Sequence, residues 1–177
     1  MARTNPSNTM KSPFRVLIIS AFNSYLTAVA VCLIPLLIGA AYLSDTATSL
    51  VTTAIGMLVL FCLTYSVFWN TAERDRNLVL YGHMEEDRFR ALRAACYAMI
   101  PLAVLTVFAV ANTYVPCLPN WFTVVYRIAA LPFYFFVFSA TTSVSAFSWL
   151  LILICAFSPF AAWLGYYNGY HLIRLMD

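Results

Sequence analysis

The sequence predicts an all-α, polytopic helical membrane protein, and three observations lead to this fold class. Of the 177 residues, 63% are hydrophobic and only 10% are charged, a composition that cannot give a soluble domain its polar surface. The apolar residues also form runs long enough to cross a bilayer. Finally, the stretch 69–93 holds five of the seven acidic and five of the ten basic residues, so charge collects in one place.

We expect residues 1–15 to form a cytoplasmic tail and residues 16–177 to form a single helical membrane domain. Basic residues without any acid precede the first apolar run, which is typical of a cytoplasmic end; they are Arg3, Lys11 and Arg15. The run itself, 16–43, is too long for the apolar core of a signal peptide and suits a tilted spanning helix.

The second apolar segment, 50–69, is expected to return across the membrane. Only a short loop, 44–49, separates it from the first segment, and that loop contains no basic residue. A link this short predicts an antiparallel helical hairpin with its turn on the outside.

The polar stretch 70–93 is predicted to be a cytoplasmic loop, because its arginines lie close to membrane ends. We expect Gly82 to divide it into an interfacial part and a second part, from His83, that begins the next helix. Acids in a first helical turn are favoured by the helix dipole. Two acid-first pairs, Glu85 with Arg88 and Glu86 with Arg90, have the spacing that supports a helix.

The third predicted span is 94–115, and the uncharged loop that follows it is placed outside. Beyond that loop, Arg127 and Pro132 interrupt a short apolar stretch, whereas 147–167 is long enough to span. We therefore expect four full transmembrane helices plus one short, proline-broken interfacial or re-entrant segment, 121–139, with the C-terminus inside. Five spans, with the C-terminus outside, are the alternative.

No sequence motif indicates catalysis or a cofactor. Nucleotide-binding glycine patterns, zinc-protease patterns and nucleophile elbows are absent from the sequence, so we expect no enzyme activity, cofactor or metal. The five cysteines have no metal-ligand spacing and mostly lie in apolar runs, where a thiol behaves as a small hydrophobe. The modest net charge of +3 gives no reason to expect a nucleic-acid partner.

Two glycines near the C-terminus, Gly165 and Gly169, are four residues apart and so share one helix face. Small residues at this spacing let helix backbones approach closely. The partner helix comes either from the same chain, which we prefer, or from a second copy in a homo-oligomer.

Two groups of residues resemble a family of uncharacterised small multi-pass membrane proteins of Gram-positive bacteria. The first group runs from Trp69 through Asp75-Arg76-Asn77, Val79 and Tyr81-Gly82 to Asp87; the second is Leu164-Gly165-Tyr166 with Gly169-Tyr170. The resemblance implies location in a bacterial plasma membrane, with the N-terminus cytoplasmic by the charge rule above, and it implies no activity.

We expect the protein to act as a non-enzymatic accessory or interaction subunit within the lipid bilayer, with its cytoplasmic loop meeting a protein partner. The concentration of charge in one loop leads to this hypothesis. The loop residues expected to contact a partner or a lipid headgroup are Asp75, Arg76, Asn77, Arg88 and Arg90.

Two alternative functions stay open at this point. An oligomeric transporter or permeability component would need a polar lining, for which the candidates are Asn23, Asn112, Arg127 and Asn168. An interfacial lipid-modifying enzyme would need acids, a base and a histidine at headgroup depth, for which the candidates are Asp75, Arg76, His83 and Asp87.

Overall fold

Every element of regular secondary structure in the described residues is a helix. The computed structural model describes residues 13–83, 85, 87–114, 119–140 and 144–174. Its elements are α1 (Pro13–Tyr42), α2 (Asp45–Leu80), α3 (Arg90–Tyr114), α4 (Asn120–Ala129), a 3-10 turn (Leu131–Phe133), α5 (Tyr134–Ala140) and α6 (Val144–Arg174). The predicted all-α class is therefore confirmed.

Three of these helices are long and apolar enough to cross a membrane over their described residues, not the four that the sequence predicts. They are Phe14–Tyr42, Asp45–Leu80 and Arg90–Asn112. The fourth predicted span, 147–167, lies within α6, and the side chains of its first turns, up to residue 152, lie outside the described residues. Over the described residues, the count of helices that qualify as full spans is therefore corrected to three, and the crossing by α6 stays a prediction.

The link between α1 and α2 is tighter than predicted, because α2 begins at Asp45 rather than at residue 50. Ser44 caps the helix, and its side chain accepts a hydrogen bond from the backbone N–H of Ala47 at 3.4 Å. A serine at this position satisfies one of the unpaired donors of the first turn. The two helices then pack closely, since Gly39 lies directly against Thr48.

Helix α2 also continues far beyond Trp69, so the first half of the predicted loop 70–93 is not an interfacial run but helix. The helix ends at Leu80, and Gly82 follows with a positive φ of 69°. The N–H of Gly82 bonds to the carbonyl of Val79, and that of His83 bonds to Leu78. This pattern is the glycine-terminated helix end called a Schellman motif.

Helix α3 begins at Arg90, later than the predicted start at His83. Glu85 and Asp87 precede the helix instead of filling its first turn, and Glu86 lies outside the described residues. The carboxylate of Asp87 accepts the N–H of Phe89 at 3.2 Å, which holds the chain in a turn before the helix. A short polar side chain that competes for backbone donors in this way favours a turn over a helix interior.

The four long helices alternate in direction. Gly165 lies against Tyr65, and Gly169 lies against Trp69, so α6 runs parallel to α2. Helix α1 runs antiparallel to α2, and α3 starts where α2 ends. We call the end formed by residues 73–90 the charged end; the start of α1 and the last turn of α6 lie there too. Helix α2 packs most extensively against α6 and α1, and α3 packs against the same two helices.

The segment predicted as proline-broken, 121–139, is interrupted at Ala130 and consists of α4, the 3-10 turn and α5. At 1.5 Å per residue, the ten residues of α4 extend only about 15 Å, half of a hydrocarbon core. Its turn is fully buried, and Pro132 lies against Gly56 in the apolar part of α2. The segment therefore packs into the bundle rather than lying on its surface, and each of its helices is too short to be a full span.

Two side chains from the long helices complete the hydrogen bonding of this break. The hydroxyl of Tyr25 donates to the carbonyl of Ala129, and Thr53 accepts the N–H of Phe135 at 2.7 Å. Irregular backbone at membrane depth is stable only where neighbouring protein satisfies the groups that the helix leaves unpaired.

Candidate functional site

Asp75 is the centre of a buried polar network at the charged end. Its side chain is fully buried, and its Oδ2 atom accepts a hydrogen bond from Nη1 of Arg90 at 3.0 Å. The same oxygen accepts the hydroxyl of Tyr166 at 3.3 Å. Since Asp75, Arg90 and Tyr166 belong to α2, α3 and α6, the network joins three helices.

The helical extension of α2 explains why this aspartate is buried. Phe68, Ala72 and Asp75 follow one another at helical spacing, and all three are buried. They continue the inner face of the helix toward the charged end. Arg90 faces them from the first turn of α3, where it is also buried.

Burial dominates the electrostatics of Asp75. It raises the pKa of the carboxyl group above its ordinary value, although the nearby charges of Arg90 and Arg74 act in the opposite direction. The second carboxylate oxygen, Oδ1, has no hydrogen-bond partner among the described residues. A buried carboxylate with one unsatisfied oxygen therefore depends on Arg90 for its charge balance.

A cavity of about 320 Å³ lies beside this network, at the lower limit of ordinary ligand sites. It is bounded by the end of α2, the turn before α3 and the last turns of α6. Its lining residues are Val79, Asp87, Arg88, Phe89, Trp163, Tyr166, Tyr167, Tyr170 and His171. Tyr166 takes part in both features, since it lines the cavity and bonds to Asp75.

The aromatic side of the cavity is an ordered row along α6. The rings of Trp163 and Tyr167 are stacked with their centroids 5.5 Å apart, and the rings of Tyr167 and His171 are 4.3 Å apart. Residues four apart on a helix are neighbours on its surface. The row therefore offers one continuous aromatic face to whatever enters.

The charged groups of the turn before α3 are arranged around the cavity mouth. Asp87 forms an ion pair with Arg93, so its negative charge is balanced within the protein. Arg88, the next residue, is exposed and lines the cavity. The mouth therefore presents a guanidinium beside a compensated carboxylate.

The residues predicted to contact a partner or a headgroup are divided among three environments. Asp75 and Arg90 bond to one another in the interior, and Arg76 is buried with only 8% of its surface exposed. Asn77 is exposed on α2, and Arg88 lies at the cavity. The five residues therefore lie at one end of the bundle without forming one surface, and their contact with a partner or headgroup stays a prediction.

Gly165 and Gly169 lie against α2 of the same chain. A methyl group at Gly165 would be 2.5 Å from the carbonyl oxygen of Tyr65, and one at Gly169 would be 2.9 Å from that of Trp69. Both glycines are thus engaged in intramolecular packing.

The four residues suggested for a lipid-modifying enzyme are not collected around the cavity. Of them, Asp87 lines it, whereas His83 is exposed elsewhere on the loop and Asp75 is closed off in its ion pair. Within the described residues there is also no group of three or more side chains suited to hold a metal ion.

The four residues suggested for a transport path do not meet either. Asn23 and Arg127 are exposed on the outside of the bundle. Asn168 donates to the hydroxyl of Tyr65 at 3.3 Å, and Asn112 has its own interaction at the other end of α3. They supply no continuous polar lining.

Sequence reasoning missed Tyr166 as a polar group and missed the alanine face of α3. Nothing in the local sequence indicates that the hydroxyl of Tyr166 reaches α2. The alanines did carry a signal, because their helical spacing is typical of close helix packing; they are Ala91, Ala94, Ala95 and Ala98, all buried.

No family model matches this sequence, and neither a curated protein nor a solved structure matches it. The resemblance to the Gram-positive membrane family stays a prediction, and function has to be argued from the site alone.

Proposed function

We propose that this protein is a non-enzymatic accessory subunit of the plasma membrane, with its N-terminus in the cytoplasm and its charged end docking a protein partner. The observation that carries the proposal is the length of α2. Its 36 residues extend about 54 Å, whereas a bilayer with its headgroups is about 40–45 Å thick. About 10 Å of helix is therefore left over.

The surplus lies at the charged end, because the charges of α2 begin at Glu73. There the helix exposes large apolar groups: Leu80 is 67% and Tyr81 is 77% exposed. Apolar side chains that face lipid are ordinary, but the same side chains held in water mark an interaction site. We call residues 77–83 the tip.

The residues next to the tip are held in place by contacts with neighbouring helices and turns. Asp75 ties α2 to α3 and α6, the glycine motif at Gly82 closes the end of α2, and Asp87 pairs with Arg93. A surface that is already ordered loses little conformational entropy on binding. The same contacts use Asp75 and Asp87 for structure, which favours a docking role over a catalytic one.

The proposal is tested by photo-crosslinking in living cells. A photoreactive amino acid at position 81 should yield an adduct with one defined protein. Adding the substitution Leu80→Ser, with the reactive group kept at 81, should abolish that adduct. The same reactive group at Leu37, which is 71% exposed in the apolar part of α1, should label lipid only. Adducts from position 81 that contain lipid alone, or none at all, would contradict the proposal.

A further inference from the structure

We infer that the cavity at the charged end binds an anionic phospholipid from the adjacent leaflet, with the phosphate at the mouth and the start of an acyl chain on the aromatic row. The cavity shares Val79 with the tip, but its other lining residues lie outside the tip, and the lipid site does not depend on the docking function. Depth, charge and shape each support it.

The depth of the cavity follows from the parallel packing of α2 and α6. Gly165 is level with Tyr65, and Gly169 is level with Trp69. Trp163 is therefore within the apolar part of the bundle, whereas His171 is two residues beyond the level of Trp69, just before the charges of α2 begin. The cavity thus extends from the edge of the hydrocarbon into the headgroup layer, which is the range that one phospholipid occupies.

The charge at the mouth suits a phosphate. Arg88 provides a guanidinium, which has an interaction of its own within the protein, and the fork of five N–H donors can still offer hydrogen bonds to phosphate oxygens. Asp87 lies beside it, but Arg93 balances its charge. His171, which also lines the cavity, adds a ring N–H as a further hydrogen-bond donor. An anionic headgroup also carries net charge, which a zwitterionic headgroup lacks.

The walls suit the part of a lipid below its phosphate. Trp163, Tyr167 and Tyr170 are of the residue types that prefer the membrane interface, where one side is apolar and the other is hydrated. Val79 and Phe89 close the opposite side from α2 and the turn before α3. Since about 320 Å³ cannot contain a whole phospholipid, most of each acyl chain would stay in the bilayer.

Fluorescence quenching by brominated lipids tests this site in the full-length protein. In a variant with Trp69→Phe, Trp121→Phe and Trp149→Phe, the remaining Trp163 reports on the cavity. The protein is placed in vesicles of phosphatidylcholine with a fixed minor fraction of phosphatidylglycerol, and either lipid carries the bromines. Brominated phosphatidylglycerol should be enriched around Trp163 by about fivefold over its bulk fraction, the preference expected for one well-placed cation.

A matched pair of variants separates the cavity from general attraction to the basic protein. Arg88→Gln should reduce the enrichment to about onefold, whereas Arg74→Gln, which removes an exposed charge outside the cavity, should leave it unchanged. Equal loss in both variants would overturn the proposal, since it would show only diffuse attraction between protein and bilayer.

A cavity-filling variant and a competition experiment test the lipid site independently of Arg88. Val79→Phe fills the cavity without changing any charge and should also abolish the enrichment, even if Arg88→Gln fails to fold. Glycerol phosphate at millimolar concentration should not displace the brominated lipid. Displacement would show that the site takes a free phosphate ester, and retained enrichment in Val79→Phe would show that the lipid lies elsewhere; either result overturns the proposal.

Discussion

At the scale of single residues, Asp75 and Arg90 form an unequal pair. Burial raises the pKa of Asp75 in spite of Arg90, which means that the folded protein tolerates a neutral side chain at position 75 better than an isolated carboxylate. Removing Arg90 therefore leaves the carboxylate of Asp75 buried without its counter-charge, which costs more free energy than burying a neutral side chain. Exposed pairs behave differently, because water screens the charge that remains.

We expect Arg90→Gln to reduce the free energy of unfolding by about 3 kcal/mol at neutral pH, because an uncompensated carboxylate stays buried. Arg93→Gln is the matched control. Arg93 also bonds to an aspartate but is 57% exposed, so its loss should cost about 0.5 kcal/mol. Unfolding in mixed micelles, followed by helical circular dichroism, measures both; equal losses would show that the Asp75 pair is not special.

The cost of Arg90→Gln should also depend on pH. A carboxyl group whose pKa is higher in the folded than in the unfolded state stabilises the fold below its unfolded value, and this contribution is lost as pH rises through the folded value. Without Arg90 the pKa of Asp75 rises further. The penalty should therefore be small near pH 4, about the ordinary pKa, and grow toward neutrality. Asp75→Asn added to Arg90→Gln should remove this slope.

At the scale of helices, the bundle depends on the close contact between α2 and α6. Gly165 and Gly169 allow the α6 backbone to touch carbonyl groups of α2. In membranes, where lipid competes for apolar surface, such close packing is a main source of helix association. The small residues thus determine the distance between the helices that bound the cavity.

We expect Gly165→Ala to destabilise the protein by about 1–3 kcal/mol, because the added methyl meets the rigid backbone of Tyr65. Gly169→Ala should cost less, since its nearest atom is 2.9 Å away rather than 2.5 Å. Without steric conflict, alanine would instead stabilise a helix relative to glycine, so the sign of the change is itself the test. Ala156→Val on the exposed face of α6 should have little effect in the same unfolding assay.

At the scale of the whole molecule, the direction of the helices places the two ends of the chain together. Helix α6 runs parallel to α2, and α1 starts beside α3, where Phe14 contacts Tyr97. Segment 120–140 consists of α4, the 3-10 turn and α5, each too short to cross a bilayer. We therefore expect it to lead the chain to α6 without a further crossing.

Topology reporters check this arrangement. Fusions before residue 1 and after residue 177 should both report the cytoplasm, and a reporter inserted after Ser44 should report the outside. The N-terminal fusion is the internal reference, because its location rests on basic residues alone. A C-terminal reporter on the outside would require either that 120–140 crosses fully, as in the five-span alternative, or that α6 does not cross.

The amino-acid sequence by itself determined the all-α class with apolar helices of membrane-spanning length, the hairpin of α1 and α2, and the break at Gly82. These features follow from apolar run lengths, loop lengths and glycine chemistry, which act over short distances along the chain. The position of the proline-broken segment was predictable for the same reason. Its entry into the bundle was not, because it depends on Tyr25 and Thr53 from distant helices.

Only the tertiary structure decided what the charged stretch does. Hydropathy falls at Trp69, so the sequence indicated a loop there, yet α2 continues because Asp75 finds Arg90 and Tyr166 across the bundle. Local acid–base spacing pointed Arg90 toward Glu86, an exposed pairing with little stabilising effect. The interaction between Asp75 and Arg90 is stronger because both side chains are buried. It holds the end of α2 against α3 and α6, where these elements bound the cavity and support the tip.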